Sequence, residues 1–435
     1  MPESSLSISP AMRRNFIWIS LSCGLYWFAF SLTRPIIALY AASLGLQSAA
    51  IGMVLAVYAL LPMLGAIPGG FIADRFGRIT VLRAGSVMML FSGVLYGVSA
   101  GPWTLALAQL LAGLGQMAVW LAVQVLVTEG PAQGNESRFA TFSLYMAIGQ
   151  TTAPIVSGYL ADRLGYRMVF AGYLLTSLVL IFTSWRCRED PRAIPKPSED
   201  PDEAAQSGTE SSYTVQSSAS NEERWFEQCL RLLQNRKFAV ILLATFISLF
   251  IVDIRTAYLP LHLESLGISN TRVGLLVSIG AVSALFVRPI YPRLMAKLGF
   301  GRTLFLTFAV SLLLLFVAPL LTNFFAIAAL VFVTGLALGI NQPMTLSMIA
   351  GSTAPEERGL GVGLRLMSNR AAQFMDPLLF GFFTAFVSLQ TSFVLVGLLL
   401  LACCAFALHL YLTAEKERPL YGPKLNKSRE FQQHR

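Results

Sequence analysis

The sequence predicts an all-α integral membrane protein of twelve transmembrane helices, arranged as two pseudo-symmetric six-helix bundles. Three observations carry that expectation. Of 435 residues, 55% are hydrophobic and only 13% charged, with a mean hydropathy of +0.63, whereas about a quarter of the residues of a soluble domain are charged. Apolar runs of about twenty residues recur between short loops, each long enough to cross a hydrocarbon core ~30 Å thick as a helix. Finally, features repeat about 222 residues apart: Leu44-Gly45-Leu46 with Gly52 returns as Leu266-Gly267-Ile268 with Gly274, and Pro154 with Gly158 returns as Pro377 with Gly381.

Taken in order, the N-terminal bundle (1–186) holds spans at 16–40, 48–69, 80–99, 103–128, 138–160 and 167–186. Arg13 and Arg14 anchor an uncleaved first span, because the apolar run behind them is about two dozen residues long and leads straight into further spans. Residues 187–236 form a linker, since Glu189 to Ser220 is rich in Pro, Ser, Glu and Asp and too poor in apolar residues to build a core. Its last part sets Trp225, Phe226, Cys229, Leu232 and Leu233 at helical spacing opposite charges, the pattern of a helix lying in the membrane interface. The C-terminal bundle (237–413) holds spans at 237–260, 271–293, 303–321, 324–350, 360–386 and 392–413, followed by a polar tail at 414–435.

Lysine and arginine placement sets the expected orientation. Arg13, Arg14, Arg75, Arg78, Arg83, Arg138, Arg293, Lys297, Arg302, Arg358 and the tail fall on one side, while the other holds Arg163, Arg167 and Arg272. Both termini are therefore expected in the cytoplasm, with the chain in the cell membrane. The net charge of +9 is accounted for by these loops and does not point to nucleic acid. The five cysteines read as inert core residues, and no pair is placed to form an extracellular disulfide.

Between the second and third spans lies Pro68-Gly69-Gly70-Phe71-Ile72-Ala73-Asp74-Arg75-Phe76-Gly77-Arg78. Glycines permit a sharp bend between helices, and Asp74 can accept from helix-end N–H groups or pair with an arginine. The segment resembles the loop between helices 2 and 3 of major facilitator superfamily transporters, Gly-x-x-x-Asp-Arg-x-Gly-Arg, which Gly70, Asp74, Arg75, Gly77 and Arg78 match. The resemblance covers essentially the whole chain. It implies a cytoplasmic gate at those five residues and transport by alternating access. In the second half the corresponding stretch, Leu294 to Gly299, has Ala296 where Asp74 stands.

Charged and polar residues inside spans mark pathways or partners, because lipid does not solvate them. Arg34 lies in the first span, Asp253 and Arg255 in the seventh, Arg288 in the eighth, and Arg365, Arg370 and Asp376 in the eleventh. At about 100° per residue, Asp253 and Arg255 point to nearly opposite faces. By the same count Arg365, Asn369, Gln373 and Asp376 share a face, with Arg370 off it. Gln109, Gln116, Trp120 and Gln124 form a polar arc on the fourth span, and Thr334, Asn341, Gln342 and Thr345 one on the tenth; both read as walls of a substrate cavity. Trp27, Phe30 and Arg34 on the first span suit a planar or amphipathic substrate, although core packing explains aromatics equally well. The expected substrate-binding set is therefore Arg34, Trp27, Phe30, Gln116, Trp120, Gln124, Asp253, Asn341, Gln342 and Gln373. Asp253, Asp376 and Arg34 are the expected proton-coupling set, because a carboxyl removed from water holds its proton more readily and a neighbouring arginine reverses that.

Within the superfamily the sequence looks most like the drug and metabolite proton antiporters, which implies export of a small amphipathic molecule such as a drug, siderophore or metabolite. It departs from them at Gln109, where that branch has an arginine, and at Ala153-Pro154 with Ser157-Gly158, where it has Gly-Pro followed by two glycines. Uptake or facilitated passage of an anionic or zwitterionic metabolite or sugar is the alternative, and a non-transporting receptor a more distant one. No Gly-Lys-Ser/Thr phosphate loop occurs, and His262, His409 and His434 lie far from any metal-ligand spacing. No cofactor, metal or enzymatic activity is expected; the expected partners are a small-molecule substrate, protons and the lipid bilayer, and the expected state is a monomer.

Overall fold

In this computed structural model the described residues are 10–65, 75–128, 135–188, 227–353 and 358–417, and all the regular structure among them is helical. The helices are α1 (Pro10–Ser43), α2 (Ser48–Gly65), α3 (Arg78–Val98), α4 (Pro102–Thr128), α5 (Asn135–Leu164), α6 (Tyr166–Arg186) and α7 (Arg236–Ser265). They continue as α8 (Asn270–Phe286), α9 (Tyr291–Leu298), α10 (Phe300–Val317), α11 (Phe324–Ser352), α12 (Arg358–Phe386) and α13 (Leu389–Glu417). Gly70, Asp74, the linker at 189–226 and the tail beyond 417 lie outside the described residues.

Nine of these helices are long and apolar enough to cross a membrane, or ten when α8 and α9 are counted as one bent span. The other two are as long, 30 residues in α5 and 29 in α12, but polar residues interrupt them: Arg138, Gln150, Thr151 and Thr152 in α5, and Arg365, Asn369, Arg370, Gln373 and Asp376 in α12. Their positions explain their composition. Helix α5 lies along α8 and helix α12 along α2, so the two least apolar of the long helices both sit where the six-helix bundles meet.

Sequence accounts for the ends and breaks. Gly77 and Gly299, 222 residues apart, open α3 and α10 with φ of 82° and 73°, a left-handed conformation that only glycine adopts readily. Asn235 Oδ1 accepts from the Lys237 N–H at 3.0 Å and Asn323 Oδ1 from Phe325 at 2.8 Å, capping α7 and α11. The expected span at 271–293 is instead broken after Phe286, and α9 turns away by 63°. Pro289 and Pro292 lack the N–H groups that would continue the helix. On α9, Leu294 and Met295 pack against the core while Arg293 and Lys297 are exposed. The seventh span runs past its expected end at 260 to Ser265, through a π turn at Ile254–Tyr258. In the linker's described end, residues 227–234 are helical, with Cys229 and Leu232 buried.

Within each bundle, buried hydroxyls and amides tie neighbouring helices, as association in lipid requires. Tyr96 donates to Gln109 Oε1 at 2.6 Å, Ser22 to Thr183 Oγ1 at 2.9 Å, and Thr307 to Asn341 Oδ1 at 2.7 Å. Between the bundles, the residues of the internal repeat meet crosswise. Gly52 of α2 lies against Pro377 and Gly381 of α12, and Gly274 of α8 lies against Pro154 of α5. Gly158 completes the second seam against Asn270 and Thr271. Both seams are in the part of the helices away from the termini, and a Cβ on any of the first-named glycines would collide with a backbone carbonyl.

Candidate functional site

Between the seams an ion pair joins the bundles: Arg34 Nη2 of α1 lies 2.6 Å from Asp253 Oδ1 of α7, both residues at least nine-tenths buried. The π turn begins at the next residue, and such turns are rare and frequently found at functional sites. Two residues on, Arg255 turns the other way, to Gly280 and Val331 inside its own bundle, where its Nε and Nη1 find no partner among the described residues. The arginine of the pair also lies over the rings of Phe30 and Tyr58, 5.5 and 5.1 Å from their centres. Tyr58 donates to Gln116 Oε1 of α4. A second carboxylate, Asp376 of α12, is buried, its Oδ1 unpartnered among the described residues, and stands within electrostatic reach of Asp253 and Arg34. Beside it, the Pro377 carbonyl accepts from Tyr258 of α7 at 3.0 Å.

A second layer lies ~9 Å along α12 toward the terminus-bearing end, six residues at 1.5 Å each. There Arg370 donates from Nη1 to Gln373 Oε1 at 2.7 Å and reaches across to the phenols of Tyr26 and Tyr58 in the other bundle. Tyr26 stacks on Trp120 with ring centres 5.6 Å apart, and Trp27 meets Trp120 edge-on at 5.3 Å and Phe30 at 5.4 Å.

Of the residues singled out from sequence, the structure gathers Arg34, Asp253, Asp376, Phe30, Trp27, Trp120, Gln116 and Gln373 around these two layers. Asn341 instead bonds Thr307 within its own bundle, and Gln342 is exposed. Gln124 makes no hydrogen bond to the layers among the described residues. Arg75, of the hinge, lies over the ring of Phe76 at 5.7 Å. Tyr26, Tyr58 and Arg370 are the members sequence reasoning missed. A tyrosine in an apolar span reads as packing, and the long Arg370 side chain reaches farther round its helix than its position on the wheel indicates.

At the end away from the termini, Asp162 of α5 caps α8. Its Oδ1 accepts from the Asn270 N–H and Nδ2, both at 2.9 Å, and its Oδ2 from the Thr271 N–H at 2.7 Å and Oγ1 at 2.6 Å. Partial burial pushes this carboxyl up, but the Thr271 and Asn270 bonds outweigh it and hold the group below the usual carboxylate range. A depressed folded value means that the latch is fully formed above the ordinary carboxylate pKa, about 3.9, and weakens only as pH falls through the depressed value. Asp162→Asn should release this end at neutral pH, shifting the opening equilibrium by roughly tenfold, one partly screened charge-assisted bond. The distance between spin labels at Leu164 and Leu275 reads that shift; an unchanged distribution would remove Asp162 from the latch.

Comparison with known proteins decides the family. The family model described as Major Facilitator Superfamily matches residues 19–322 and 241–433. The chain belongs to that superfamily. This transporter is 23% identical over 364 residues to the multidrug resistance protein MdtG of Proteus mirabilis, covering 80% of this chain and 83% of that protein. It is 25% identical over 364 residues to MdtG of Klebsiella pneumoniae, at 80% and 81% coverage. Its fold is similar to that of a bacterial homologue of the human lysosomal transporter Spinster in an inward-facing, unoccupied conformation, with TM-score 0.69, 16% identity and coverage of 96% of this chain and 100% of that one. A peptide transporter of the POT type superposes with TM-score 0.73 at 16% identity, covering 94% and 95% of the two chains. The likeness in fold, the multiple spans and the family match make the chain a multi-pass membrane transporter with the major facilitator architecture.

Proposed function

We propose that this transporter exports small amphipathic organic molecules against inward movement of protons, by alternating access between its two bundles in the cell membrane, with both termini in the cytoplasm. The observation that carries the reading is local to the ion pair: two buried carboxylates, Asp253 and Asp376, stand within electrostatic reach of one arginine, Arg34. Burying a carboxylate without a cation is costly, so whichever acid Arg34 leaves is the one placed to take up a proton, and the proton can pass between the two as Arg34 changes partner. Protonation of Asp253 weakens its hold on Arg34 and so loosens one bond between the bundles, which links proton binding to rocking. The MdtG relatives, named for multidrug resistance, support export, and the lysine and arginine bias supports the orientation.

The test is flux in proteoliposomes with and without an imposed pH gradient. Asp376→Asn is expected to lose gradient-driven flux while substrate exchange without a gradient continues, because the uncoupled exchange needs no proton carrier. Gradient-driven flux at the normal rate in Asp376→Asn and in Asp253→Asn would end the proton assignment. One observation favours a facilitator as the second reading. Gln109, standing where the antiporter branch has an arginine, is bound to Tyr96 inside its own bundle, and flux indifferent to the gradient in the unaltered protein would select that reading.

A further inference from the structure

We infer that the molecule held between the bundles is an aromatic or amphipathic monoanion, its acid group bound by Arg370 and its apolar body by Trp27 and Trp120. This rests on the interior being the transport path. The first support is charge. Arg34 has Asp253 as its counter-ion at 2.6 Å, whereas Arg370 has only neutral partners among the described residues: Gln373, at 2.7 Å, and the phenols of Tyr26 and Tyr58. A guanidinium whose partners are all neutral has no counter-ion, and its planar fork matches the paired oxygens of a carboxylate or phosphate. The Gln373 bond occupies one N–H of the fork and fixes its plane, leaving other donors for a ligand.

The second support is the sense of the unmet hydrogen bonding. Trp27 Nε1, in the same aromatic group, is buried and has no acceptor among the described residues. It adds a donor where the arginine already supplies donors, which calls for a ligand carrying acceptors. The third support is shape. Trp27 and Trp120 meet edge to face at 5.3 Å and, like Arg370, are only half-buried. An edge-to-face pair leaves ring surface free to take another aromatic or aliphatic body. A cationic ligand would be repelled by Arg370, and a neutral one would leave its charge unanswered.

The test is titration of the purified full-length protein in detergent with three probes of one skeleton: naphthylacetate, naphthylacetamide and naphthylethylamine. The acid is expected to bind at least about tenfold tighter than the amide, with the amine weakest. Arg370→Gln should bring the acid down to the amide's affinity, and an unchanged thermal-unfolding profile of the variant reports an intact fold. Should that variant not fold, Arg370→Lys, which keeps the charge and loses the fork, should cost the acid severalfold more than it costs the amide. Equal affinity for acid and amide, preference for the amine, no binding of any probe, or a preference that survives Arg370→Gln would each overturn the inference. The titration involves neither gradient nor direction, so its outcome separates from that of the flux assay. Acid preference without gradient-driven flux leaves this inference and removes proton coupling; gradient-driven flux of the amine but not of the acid does the reverse.

Discussion

Alanine at Gly274 should lower transport at least about tenfold while leaving the protein folded in the membrane. The added Cβ would meet the Pro154 carbonyl oxygen, with Ile155 Cα behind it, so α5 and α8 must separate. Overpacking of this kind costs about 1–3 kcal/mol, and each 1.4 kcal/mol is a factor of about ten in an equilibrium. The cost falls on the conformation in which the seam is shut, so the population moves toward the one in which this end is open. Gly52→Ala, against the Pro377 carbonyl, should act in the same direction at the symmetric seam, and the two together should abolish cycling. Gly363→Ala is the control: nothing lies within 4 Å of a Cβ there, and replacing a helix-interior glycine favours the helix. Flux assays with spin-label distances between Leu164 and Leu275 decide the matter. Normal flux together with an unchanged distance in Gly274→Ala would show that the seam is not a moving contact.

The second large effect is expected from Asp253→Asn. Removing one partner of a buried ion pair leaves the other charge without compensation, at a cost of about 3–5 kcal/mol. The purified variant should therefore unfold several degrees below the unaltered protein. Arg34→Gln combined with Asp253→Asn should recover most of that loss, because no charge is then stranded, and the double-mutant cycle gives the coupling directly. Asp376 adds a further expectation. It stands within reach of Arg34, so it can serve as substitute counter-ion, and Asp253→Asn with Asp376→Asn should be less stable than either change alone. Strict additivity of Arg34→Gln and Asp253→Asn in thermal unfolding would mean that the pair contributes nothing to holding the bundles together.

Much of the architecture is legible in the sequence. Hydropathy placed the helices to within a few residues, except where Pro289 and Pro292 break the eighth span and where the π turn carries α7 on to Ser265. Both exceptions are local backbone events inside apolar runs, to which hydropathy is indifferent. The site was legible in its charges and less so in its neutral members. Arg34, Asp253 and Asp376 announce themselves because lipid does not tolerate them without partners. Tyr26 and Tyr58 do not, since an aromatic ring packs as well in a core as around a ligand. The polar arcs on α4 and α11 look equivalent as sequences, yet Gln116 joins the central group while Asn341 turns to Thr307.

By itself the sequence determined the membrane class, the order of the helices and the two-fold repeat, because each follows from composition, run length and spacing along one chain. Only the tertiary structure decided that Gly52 meets Pro377 and Gly274 meets Pro154, that Asp253 rather than Arg255 faces Arg34, and that Arg370 reaches Tyr26 and Tyr58. Those contacts join residues more than a hundred positions apart. Which of many buried polar groups meet depends on how the bundles dock, and docking is set by close glycine packing across the seams, a property of two surfaces together that neither surface's sequence expresses alone.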